Sequence, residues 1–139
     1  MSVSEVHQAL SRAGTADLYD EQRRSPKLRN LEEFIVHGLR YAFPCEPGAI
    51  TRGIPTSFAA APLRDHFFKQ STDLPPVWSD PEGSTRGYKI APLYSSVPKA
   101  VKSDPELYQL LALVDAIREG RARERQMAQD LLHERFKST

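Results

Sequence analysis

The chain has 139 residues, of which 19 are Lys or Arg and 18 are Asp or Glu, for a formal net charge of +1. That length suits one domain with its own core, and the even charge balance excludes recognition of nucleic acid through a whole-protein field, so any such contact needs a local basic patch. The single cysteine, Cys45, excludes an intramolecular disulfide and a multi-cysteine zinc site; with no bilayer-length apolar run and no leader-like start, a soluble, unexported, cytoplasmic protein without membrane contact is expected.

The first stretch, Ser2 to Tyr19, predicts a helix from Val3. Ser2 followed three residues later by Glu5 is a capping-box spacing. Val3, Val6, Leu10 and Ala13 then recur on one helical face, and Ser4, Gln8, Ser11 and Arg12 project from the other. Those polar side chains match base and phosphate chemistry: Gln pairs with adenine, Arg with guanine or phosphate, and Ser donates or accepts. The run Ser4, Val6, Leu10, Ala13, Ala16 and Leu18 resembles the recognition helix and following turn of bacterial winged helix-turn-helix regulators. The resemblance implies double-stranded DNA as partner, a role in transcription regulation and a winged-helix-like N-terminal part. In that family two helices precede the reader helix, whereas Met1 stands directly before this one, and Asp17 occupies a turn position that is often glycine. The stripe Val3, Val6, Leu10 and Ala13 therefore needs another cover. The C-terminal face of Leu131, Leu132 and Phe136 is one candidate and a second copy of the chain is the favoured one, with the C-terminal helix serving assembly more than folding.

Asp20 to Arg29 is a basic loop in which Arg23, Arg24, Lys27 and Arg29 surround Pro26. It reads equally as a wing tip that clamps phosphates through Arg23, Arg24 and Lys27 or as a solvated connector, since Asp20 and Glu21 offset part of its charge. Asn30 to Phe43 predicts the main core helix, capped by Asn30, with Leu31, Phe34, Ile35, Gly38, Leu39 and Ala42 as its apolar stripe. Gly38 there suggests close approach of another backbone. Phe43 to Leu63, with prolines at 44, 47, 55 and 62, predicts an ordered loop without regular structure.

Leu63 to Lys69 predicts one or two helical turns. Val77-Trp78 and Gly87 to Ile90, either side of the Asp80-Pro81-Glu82-Gly83 turn, predict a small β-hairpin, with Arg86 and Lys89 making it a second candidate wing. The C-terminal third predicts helices from Ser103, with Leu107, Leu110, Leu111, Val114 and Ile117 as one stripe and Met127, Ala128, Leu131, Leu132 and Phe136 as another. Between them Arg118 to Arg125 carries four arginines and two glutamates. That stretch ends a helix near Gly120, forms an arginine network at a subunit contact or, the favoured reading, lies along a solvated face.

His7, His37, His66 and His133 are scattered, and Asp130 with His133 makes only half a metal site. With no phosphate loop, nucleophile elbow or metalloprotease helix, no enzyme, cofactor or metal is expected. The sequence thus reads as a mostly α-helical α+β single domain with a small β-hairpin. It comprises a reader-helix segment (1–29), a core helix with proline-rich loop and hairpin (30–102) and C-terminal helices (103–139). A DNA-binding regulator, acting as a homodimer, is the leading expectation. The alternative is a non-enzymatic protein-interaction subunit, antitoxin-like or for complex assembly, that uses the proline-rich loop and C-terminal helices to hold a protein partner.

Overall fold

The computed structural model describes residues 2–67 and 74–139. The chain is α+β, and helix α6 (Pro105–Glu119) is its axis: Asp104 caps it by accepting the Leu107 N–H at 3.1 Å, and every residue from Ala112 to Arg118 is buried. The cap is Asp104 and not Ser103, because proline at the first helical position fixes the entry one residue later. The helix ends at Gly120, whose backbone is extended, and α7 (Ala122–Lys137) folds back along it.

One side of α6 forms the larger core. Leu113, Val114 and Ile117 pack with Ala128 and Leu132 of α7 and with Ile35 and Leu39, and Leu131 and Phe136 border the same cluster. The C-terminal apolar face is therefore spent on the chain's own core and does not cover the N-terminal stripe. Ile35 lies on α2 (Leu28–His37) and Leu39 on α3 (Leu39–Ala42). The expected single helix from Asn30 is thus two, started by Leu28 and broken at Gly38. A Cβ at Gly38 would meet the Phe34 side chain at 3.1 Å, so this glycine marks a break in the helix and not the approach of a second backbone. Asn30 caps nothing and donates its side-chain N–H to the Asp17 carbonyl at 2.8 Å.

The other side of α6 carries a small closed barrel of β3 (Ile50–Pro55), β4 (Pro76–Ser79) and β5 (Thr85–Lys89). Two expectations are corrected here. The proline-rich loop contains a strand and a 3-10 turn (Ser57–Ala59), which is possible because Pro55 ends β3, where a missing N–H costs little. Furthermore, β4 and β5 do not form a hairpin: β3 runs antiparallel to both, so they run parallel to each other, with Val77 opposite Lys89. Glycines allow the closure, since a Cβ on Gly53 would lie 2.1 Å from the Trp78 carbonyl oxygen and one on Gly87 2.0 Å from that of Pro75. The barrel core joins Trp78 and Ile90, with Val97 and Val101 of α5 (Val97–Val101), to Tyr108 and Leu111 of α6. The turns expected from Leu63 to Lys69 are the short α4 (Arg64–Phe67), and Lys69 lies outside the described residues.

Polar ties cross this second core. The Asp115 carboxylate accepts from Thr56 Oγ1 at 2.7 Å and from Trp78 Nε1 at 2.9 Å, and pairs with Arg118 at 3.3 Å. Arg118 also donates to the Ala91 carbonyl. The arginine-rich stretch is therefore not one solvated face: Arg118 and Glu124 are buried, while Arg121 and Arg123 are exposed. Among the described residues no helix is long and apolar enough to cross a membrane.

Candidate nucleic-acid interface

Helix α1 (Val3–Thr15) starts as its sequence directs, with Ser2 Oγ accepting the Glu5 N–H at 3.1 Å. The Glu5 carboxylate accepts the Tyr94 hydroxyl, which holds Glu5 below the usual carboxylate range and ties the helix to the body. Ala9, Ala13 and Gly14 are half-buried on the flank. No residue of α1 is fully buried, and its polar face is exposed along its length.

The turn after α1 takes a left-handed residue at Asp17, φ 64°, a conformation that aspartate tolerates better than most side chains. The Leu18 N–H returns to the Ala13 carbonyl at 2.9 Å, and β1 (Tyr19–Asp20) then pairs antiparallel with β2 (Ser25–Pro26). Asp20 shapes the tip of this hairpin by accepting the backbone N–H groups of Gln22 at 3.0 Å and Arg23 at 3.1 Å, and these bonds hold its carboxyl below the usual range. Arg24 completes the tip with φ 51°. The chain order is helix, left-handed turn, two-stranded hairpin with a basic tip.

Ser4, Gln8, Ser11 and Arg12 are all exposed on α1. Arg23 is exposed at the tip, only loosely paired with Asp20 at 3.9 Å, and Arg24 makes no ion pair among the described residues. Lys27 differs from the other candidates, because its ammonium is bound to the Asp17 carboxylate, which raises its pKa. It braces the hairpin against the turn. The opposite face of α1 is open at its N-terminal end, where Val3 is 88% exposed, and only partly covered further on, with Val6 41% and Leu10 38% exposed.

No family model, curated protein or solved structure matches the chain. The geometry of the chain itself therefore carries the reading of its site. Arg86 and Lys89, the second candidate wing, lie on barrel strand β5 and are both exposed, but no reader helix adjoins that strand in sequence. Among the described residues no cluster of three metal-ligating side chains occurs: Asp130 accepts from Gln126, and His133 pairs with Glu32 at 3.0 Å on α2. Burial pushes the Cys45 thiol up, although Arg118 lies 3.5 Å from its sulfur and opposes the shift. The polar residues that sequence reasoning missed are Thr56, Trp78 and Asp115. Their one local sign was an aspartate inside the apolar run Leu113-Val114-Asp115-Ala116-Ile117.

Proposed function

We propose that the chain is a DNA-binding regulator that lays α1 in a major groove and sets the β1–β2 tip on the adjacent backbone. The observation that carries this reading is the continuity of an exposed polar helix face (Ser4, Gln8, Ser11, Arg12) with a hairpin whose tip presents Arg23 and Arg24. Side chains of that kind read base edges from a helix and neutralise phosphates from a tip. Lys27, held by Asp17, contributes rigidity more than free charge. Such a role places the protein in the cytoplasm, where DNA is at hand and a free thiol such as Cys45 stays reduced.

A second copy of the chain is the proposed cover for Val3, Val6 and Leu10. Two readers on one two-fold axis also match the usual symmetry of DNA sites. A second reading is favoured by that same exposed stripe. Its i, i+3, i+7 spacing is that of a helix that anchors in the groove of a different protein, as an interaction subunit would. Binding of duplex DNA over a series of salt concentrations decides between them: for a DNA reader log affinity falls linearly with log salt, and an interaction subunit shows no specific binding.

A further inference from the structure

A cavity of about 510 Å³ opens where the barrel meets the corner between α6 and α7. Its volume is in the range of small-molecule sites. Phe58, Phe67 and Tyr88 supply aromatic walls, and Glu119, Glu124 and Arg121 supply the charges. The corner at Gly120 brings the two carboxylates together, because Glu119 closes α6 and Glu124 sits in the first turn of α7.

These acids are not arranged as structural acids usually are. Glu124 is only 9% exposed, lines the cavity, and makes no hydrogen bond or ion pair among the described residues. One carboxylate oxygen of Glu119 is shut off from solvent, as is the hydroxyl of fully buried Ser57, and the two groups lie close enough for Ser57 to lower the Glu119 pKa. A carboxylate nine-tenths buried beside a second carboxylate, as Glu124 is beside Glu119, is costly unless a cation meets it. The electrostatics agree. Burial first, and then the Glu124 charge, push the Glu119 carboxyl up against the lowering effects of Ser57 and Arg118. Tyr88 is pushed up by burial and then by Glu119 and Glu124. Arg121 opposes that shift at Tyr88, yet two carboxylates face one guanidinium across the cavity.

We propose that this cavity binds a small organic amine, an ammonium group on an apolar body, with the charge between Glu119 and Glu124 and the body against Phe58, Phe67 and Tyr88. A desolvated cation beside two carboxylates and aromatic rings gains both ion pairing and cation–π attraction. Bare metal ions fit less well, because the walls are largely aromatic and the ligating oxygens are few. The size of the cavity suits a free amine better than a segment of folded protein.

The test uses the full chain with benzylamine, its neutral isostere benzyl alcohol, and acetylarginine methylamide as a mimic of a protein side chain, followed by calorimetry and by amide chemical shifts. Benzylamine is expected to bind with a dissociation constant of about 0.1 to 10 mM, typical of a fragment of that size. Benzyl alcohol is expected to bind at least about tenfold more weakly. Glu124→Gln removes the charge and keeps the shape, so it should weaken benzylamine by about tenfold while the amide spectrum stays folded. Glu119→Gln gives the same readout should Glu124→Gln fail to fold. Tighter binding of the arginine mimic than of benzylamine would assign the cation to a partner's side chain, against the small-amine assignment. Equal binding of the amine and the alcohol, no binding of either, or an unchanged affinity in a folded Glu→Gln variant would overturn the proposal.

Discussion

The indole N–H of Trp78 donates to the Asp115 carboxylate at 2.9 Å, joining β4 to α6 where the two residues are 1% and 2% exposed. Thr56 donates to the same oxygen at 2.7 Å, and Arg118 faces the other oxygen at 3.3 Å. One carboxylate therefore holds the strand, the segment after β3 and the helix in register. Removing it strands a buried guanidinium together with two neutral donors. Asp115→Ala is expected to cost about 3 to 5 kcal/mol in urea unfolding. A loss below about 1 kcal/mol would show that the network adds little to the fold.

The same site makes stability depend on pH. Burial pushes the Asp115 carboxyl from 3.8 up to about 6, against the lowering effects of Arg118, Thr56 and Trp78. A carboxyl whose folded pKa lies above its unfolded one contributes stability that is complete below the unfolded value and is lost as pH rises through the folded value. The stability of wild type relative to Asp115→Asn should therefore decline from pH 3.8 to about 6 and level off above that. Trp78 fluorescence should titrate in the same window. A relative stability that rises with pH there would reverse the sign of the account.

Helix α7 belongs to the fold, since Ala128 and Leu132 are fully buried against Leu113 and Ile117. Truncation before Arg121 should abolish cooperative thermal unfolding. Leu132→Ala, which leaves a cavity, should cost about 2 to 5 kcal/mol. A truncated chain that still melts cooperatively would return α7 to a role in assembly alone.

The elements legible in the sequence were those set by neighbours a few residues apart. Ser2 starts α1, proline and aspartate start α6, Gly120 stops it, and the heptad-like leucines of α6 and α7 mark the core. What escaped depends on distant partners. Asp115 meets Thr56 and Trp78 across 59 and 37 residues, and no local pattern encodes that meeting. For the same reason β3 was hidden: it is stabilised by pairing with β4 and β5, and its flanking prolines advertise a loop. At the candidate interface, the helix face of Ser4, Gln8, Ser11 and Arg12 was readable from its period, whereas the capture of Lys27 by Asp17 required the turn geometry.

The apolar face of α1 predicts self-association. With Val3 88% exposed and Val6 41%, wild type should sediment as a dimer at tens of micromolar, roughly the range of weak homodimers. Val6→Glu should shift it to monomer without loss of helix by circular dichroism. A wild-type chain that is monomeric at that concentration would exclude the second copy as cover.

The central claim is tested most directly by the salt dependence of duplex DNA binding, measured by fluorescence anisotropy for wild type and Arg24→Ala on random and selected sequences. Arg24 sits at the hairpin tip with φ 51° and makes no ion pair among the described residues. Each phosphate left without its cation should reduce the slope of log affinity against log salt by about 0.9, so Arg24→Ala should weaken all sequences alike and flatten the slope by about that amount per subunit. Gln8→Ala, on the helix face, should leave the slope intact and relax preference at one base position, by about 1 to 3 kcal/mol. Absence of duplex binding by wild type at about 50 mM salt, or an Arg24→Ala slope equal to that of wild type, would contradict the assignment of α1 and its hairpin to DNA.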